Sequence, residues 1–234
     1  MLIAAAAAAG FALTLSLGAW QFSRAAQKMA LHASIMQKSE LPAVAVEDLL
    51  GASDPAALLH RRVLLQGQWL AQASIYLENR QMDAKPGFFV VTPLLAEPGA
   101  AALLVLRGWA PRNFQDRAAL PPVSTPAGRV EVRGLIVPPP SRLYDFGGVE
   151  GGAIRQNLDV ASFAKELGQP LLALAVQQEG EFADGLRRHW PQPIAGVEKN
   201  QGYAFQWFAL AGLIAGLYLW FQIVQPLRTR RRKS

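Results

Sequence analysis

The sequence predicts a membrane protein: two transmembrane helices flanking a β-rich, α+β extracytoplasmic domain built on an antiparallel sheet or barrel. Three observations carry that expectation. Two uncharged apolar runs, Leu2 to Gln21 and Tyr203 to Gln225, lie near the ends of the 234-residue chain. Each is long enough to cross a hydrocarbon core of ~30 Å as a helix. From Arg62 onward the chain between them turns to short β-branched and aromatic runs broken by Gly and Pro, which is the texture of strands.

The first span, residues 2–21, reads as a retained anchor. Nothing basic precedes it, as a cleaved leader requires, and it closes on Trp20-Gln21-Phe22, an interfacial aromatic pattern. The small residues of Ala4 to Ala9 and of Ser23 to Ala26 are the competing signature of a leader. Met1 abuts the apolar run directly, so the true start is expected upstream. The second span, residues 203–225, is followed by a basic tail, residues 226–234. That tail carries Arg228, Arg230, Arg231, Arg232 and Lys233, against only Arg24 and Lys28 close behind the first span. Basic residues near a span end stay in the cytoplasm. Both termini are therefore expected there, with residues 22–202 in the periplasm of a bacterium, across its inner membrane, or in the equivalent space of an organelle.

The net charge of +6 owes five units to those tail residues alone, so it is a topology signal. A nucleic-acid surface needs a basic folded face with stacking aromatics, and the tail has none. Anionic lipid headgroups are its expected partner. There is no cysteine, which excludes disulfides, thiolate nucleophiles and cysteine metal sites together.

Within the domain, Phe22, Ala25, Ala26, Met29, Ala33 and Met36 recur at helical spacing, so the first span should continue as an amphipathic helix to the Pro42 region. Strands are expected at Val63 to Leu70, Ser74 to Arg80, Phe88 to Leu95, Leu103 to Trp109, Val130 to Val137, Ile154 to Leu158 and Leu171 to Gln178. One internal helix stands out, capped by Asp159, carrying Phe163 and Leu167, and ended by Gly168 with Pro170 beyond. Proline clusters at Pro121-Pro122 and Pro138 to Pro140, and glycines at 147, 148, 151 and 152, mark loops. The glycine loop lacks the spacing of a phosphate cradle.

Catalytic constellations are thin in the pattern, with a Ser-His-Asp arrangement left open. His32, His60 and His189 stand at no metal-ligand spacing and read as surface or packing residues, and no G-x-S-x-G elbow occurs. No enzyme is expected. Gly10, Thr14 and Gly18 in the first span, and Gly212 and Gly216 in the second, form stripes of small residues that let helix backbones approach closely. Tyr203 and Trp207, with Tyr218 and Trp220 at the other end, suit an aromatic belt.

Several local motifs then converge. Leu17-Gly18-Ala19-Trp20-Gln21 with Arg24 and Lys28 resembles the LGxWQxxRxxxK signature of the surfeit-locus family of cytochrome c oxidase assembly proteins. Arg62-Val63 with Gly67, Asn79-Arg80, Thr92-Pro93-Leu94 and Val105 to Pro111 match further, and Gly202 to Phe208 is similar to the family's HxGYAxQWF opening of the second span. The resemblance implies a membrane-anchored maturation factor that helps insert haem a into the catalytic subunit of a haem-copper oxidase, with that subunit and haem a synthase as partners. In the family a histidine three positions before the tyrosine is regarded as the haem ligand; here it is Asn200, and an amide is a far poorer iron ligand than an imidazole.

Three outcomes stay open: another histidine ligates, haem is held without one, or this member carries no haem. Haem a would want aromatic faces and guanidinium forks near the headgroups, which Trp20, Arg24, Tyr203 and Trp207 could supply, together with Arg107 and Trp109. The plainer reading is an aromatic belt with a snorkelling arginine, and for Arg107-Gly108-Trp109 a strand end with Trp in the core and Arg paired. A scaffolding envelope protein without haem is the alternative function.

Overall fold

The structure, a computed structural model, describes residues 1–116, 119–143, 152–192 and 194–231 and divides into two compact units. Glycines 147, 148 and 151, Arg232 and Lys233 lie outside the described residues.

One unit, Met1–Ser34 with Gln192–Ser234, is a helix pair. Helix α1 spans Leu2–Ser39 without a break, so the expected helical continuation is present and stops just before Pro42, but of its expected apolar stripe only Ala25 is buried, while Phe22, Met29 and Met36 are exposed. The chain later runs through Val46–Leu50 (α2) and Val160–Leu167 (α3) before Val197–Leu219 (α4), which is followed by a π-helical turn at Trp220–Val224 and by Gln225–Arg231 (α5). Both terminal helices are long and apolar enough to cross a membrane. Their shared seam is set by small residues: Thr14, Gly18 and Ala25 of α1 are buried, as are Ala204 and Ala211 of α4. Successive steps of three and four residues keep such positions on one helix face.

A Cβ on Gly18 would stand 2.6 Å from the Phe208 ring, and one on Gly10 would meet Ile214. The Gly10-Thr14-Gly18 stripe is thus packing surface. Gly212 and Gly216 are not, since an added Cβ at either meets nothing within 4 Å. Ala204 and Ala211, two helical turns apart, take the seam instead.

The other unit, Ile35–Pro191, carries the sheet. Its strands are β1 (Val44–Ala45), β2 (Arg62–Trp69), β3 (Ile75–Met82), β4 (Lys85–Leu95), β5 (Ala102–Pro111), β6 (Arg129–Val137), β7 (Ile154–Arg155) and β8 (Leu171–Gln178). They lie in the order β1-β2-β6-β8-β5-β4-β3-β7, and β2 also pairs with β4 through Gln68↔Leu95 and Trp69↔Leu94. That last pairing closes β2, β6, β8, β5 and β4 into a five-stranded barrel. The sheet is mixed, not purely antiparallel as the sequence suggested: β1–β2, β3–β7 and β5–β8 are parallel. The reason is topological. Strand β8 inserts between β5 and β6, which run in opposite directions, so it must be parallel to one of them. Helix α3 lies in the connection that returns β8 to that slot.

One core cluster draws on all five barrel strands, with Val63, Leu65, Leu94, Leu103, Val105, Ile136 and Val176 among its members. A second, including Ile75, Leu77, Leu104, Leu106 and Ala175, packs with Phe163 of α3. Asp159 caps α3 by accepting from the Ser162 amide at 2.8 Å, and Gly168 ends it at φ 64°.

Two bulges interrupt this regularity. Register passes from Val90↔Gly108 to Val91↔Leu106, leaving Arg107 as the extra residue of β5. It also passes from Leu77↔Phe89 to Arg80↔Gly87, leaving Glu78 and Asn79 of β3 against Phe88, with Asn79 at φ 59°. Bulges re-aim side chains out of the strand's alternation.

Candidate functional site

In the helix pair, Gln21, Lys28 and Asn200 meet in a polar clasp. Lys28 Nζ donates to Asn200 Oδ1 at 2.9 Å and to the Ala195 carbonyl at 3.2 Å. Asn200 Nδ2 donates to Gln21 Oε1 at 2.7 Å. The orientation is forced, because an ammonium only donates and so must face the amide oxygen, which turns the amide nitrogen to Gln21. Gln21 and Lys28 are two turns apart on α1 with buried Ala25 between them, so one face of the helix delivers both. Both belong to the signature around Trp20, and both were missed as site residues. Their seven-residue spacing, one seam position after another, was the available signal.

Asn200 therefore does not fit axial ligation of iron: its amide is committed at both ends. Trp20 and Tyr203 are more than half exposed, Trp207 is half-buried, and Arg24 is exposed, donating to Gln27 of its own helix at 3.4 Å. The structure brings Asn200 together with Gln21 and Lys28, and leaves Trp20, Arg24 and Tyr203 open on the surface of the pair. His32 is half-buried, with Nδ1 shielded from solvent and without a hydrogen-bond partner.

In the barrel unit, Trp109 is fully buried and donates its indole N–H to the Arg80 carbonyl at 2.9 Å, tying the two bulged strands together. Its backbone pairs with Arg187. Arg80, 6% exposed, donates to the carbonyls of Ser141 and Gln156, and burial pulls its pKa below the ordinary value.

Arg107 is 2% exposed. It donates to Thr125 Oγ1 at 2.6 Å, to the Ser124 carbonyl at 2.7 Å and to Asp184 at 3.4 Å, and it stacks 4.8 Å over the Trp69 ring. Asp184 also accepts from Arg188, which lies 4.9 Å over Phe182. One carboxylate thus serves two guanidiniums. Burial lowers the Arg107 pKa, Asp184 opposes the fall and Arg188 adds to it. Trp69, Asp184 and Arg188 carry no motif in the sequence, because only the fold brings them to Arg107.

His60 sits at φ 70° on a turn, and burial, then Lys38, lowers its pKa. His189 is exposed and pairs with Asp83 at 3.1 Å. No group of three or more metal-ligating side chains exists among the described residues.

The family model described as SURF1 family matches residues 8–212. A SURF1-like protein of Rickettsia conorii is 27% identical over 221 residues, 89% of this chain and 86% of its own length. One of Rickettsia felis is 27% identical over 221 residues, covering 89% and 92%. Surfeit locus protein 1 of Arabidopsis thaliana is 32% identical over 117 residues, 46% of this chain, and only 33% of the plant protein is matched. With the matched span taking in most of α1, most of α4 and the whole barrel unit, the chain belongs to the SURF1 family.

Proposed function

We propose that this chain is a membrane-anchored assembly factor for a haem-copper terminal oxidase, assisting haem a insertion into the catalytic subunit as a chaperone and not as an enzyme. The family is one of oxidase assembly factors. The observation that carries the reading to this chain is the clasp: signature residues Gln21 and Lys28 of the first helix converge on position 200 at the opening of the second. The clasp also shapes the reading, for it engages both ends of the Asn200 amide. Haem a is then the cargo of the assembly reaction, passed to the oxidase subunit without axial ligation by Asn200. Both termini lie in the cytoplasm and the barrel unit outside it, with the basic tail against anionic lipid. Contact with haem a synthase belongs to the same proposal.

Deletion of the gene tests it. Oxidase activity and the haem a band of the membranes should fall severalfold while an unrelated respiratory complex keeps its activity, and a plasmid copy should restore both. A general envelope defect with normal oxidase would point to the scaffolding alternative.

A further inference from the structure

At one end of the barrel a cleft of about 430 Å³ opens between strand ends and loops, lined by Trp69, Arg107, Val132, Gln178, Phe182 and Asp184, among others. Barrel mouths with apolar walls and a few convergent polar groups are common ligand sites. Four features make this one specific. First, the bulge of β5 takes Arg107 out of the strand's alternation and stacks its guanidinium on Trp69. Second, Arg107 and Arg188 share the single carboxylate of Asp184, with side chains 3%, 7% and 7% exposed respectively. Glu131, at the rim, is partnered by Arg133. Among the described residues the cluster therefore holds one positive charge in excess. A buried charge without a counter-charge is costly. Third, donor capacity is unfilled among the described residues: Nε of Arg107, which lines the cleft, is buried without a partner, and so is Nε of Arg188, whose guanidinium shares Asp184 with it. Fourth, part of the wall is apolar, formed by Trp69, Val130, Val132 and Phe182, with Phe182 44% exposed at the edge.

We infer that this cleft binds a small organic carboxylate whose charge completes the Arg107–Asp184–Arg188 cluster and whose apolar body lies along Phe182 and Val132. The site lies wholly within the barrel unit and does not depend on the oxidase reading. Its specificity follows from the charge count. A carboxylate neutralises the excess and accepts charge-assisted hydrogen bonds, whereas the matching amide brings no charge.

Calorimetric titration of the detergent-solubilised full chain tests it, using phenylacetate and its neutral isostere phenylacetamide as probes. Phenylacetate should bind saturably and phenylacetamide about tenfold more weakly. Ala183, an exposed residue of the cleft wall outside the charge cluster, offers a steric block. Ala183→Trp should abolish phenylacetate binding and leave the thermal midpoint unchanged, and Arg188→Gln should weaken binding severalfold. No saturable binding of phenylacetate, equal binding of the two probes, or undiminished binding by Ala183→Trp would each overturn the proposal.

Discussion

Gly108 sits where no side chain fits. A Cβ there would stand 2.6 Å from Leu186 Cβ and 2.9 Å from the Arg187 carbonyl, which is itself paired with the Trp109 backbone. Gly108→Ala should therefore lower stability by about 1–3 kcal/mol, read as a lower denaturant midpoint. An unchanged midpoint would mean that the Leu186–Arg187 segment yields freely. The neighbouring residues show what was legible at this scale. The Arg107-Gly108-Trp109 run was visible, and its plain reading, Trp in the core and Arg paired, matches the burial of both. Its partners were not visible. Asp184 lies 77 positions from Arg107 and the Arg80 carbonyl 29 from Trp109, and only a bulged register brings them together.

Among the elements, α3 was legible almost to the residue, because capping is local chemistry: Asp159 before the first turn and Gly168 after the last. The cap also sets a pH dependence. Hydrogen bonding from Ser162 holds the Asp159 carboxyl below its ordinary pKa. Since the folded value lies below the unfolded one, the cap's contribution is present above the ordinary aspartate range and is lost as pH falls through the folded value. Asp159→Asn keeps a capping oxygen without the charge, so its acid-unfolding limb should be shallower than that of the wild type. Identical limbs would remove the carboxylate from the account. The seven expected strands all exist, though the one at Ile154 is confined to two residues. Their order was not legible, because alternation reports which face is buried and says nothing of the insertion of β8 between β5 and β6. The helix stripes were half legible: spacing four marked Gly10, Thr14 and Gly18 correctly, but Ala204 and Ala211 carry the other side of the seam.

For the whole molecule, the family signature and the helix pair say the same thing in different terms. The motif residues of the two terminal helices meet, and they meet as donors and acceptors that satisfy one another. In this chain position 200 is a fastening between helices, with both ends of its amide engaged, and that is a poor setting for an iron ligand. The most direct measurement is the absorption spectrum of the detergent-solubilised protein purified from cells that make haem a, beside Asn200→Ala and Lys28→Met. The second variant opens the same clasp while leaving Asn200 in place. No haem-iron band should depend on residue 200, so wild type and Asn200→Ala should give the same spectrum. A band present in the wild type and in Lys28→Met but absent from Asn200→Ala would contradict it, since Asn200 would then be holding the iron.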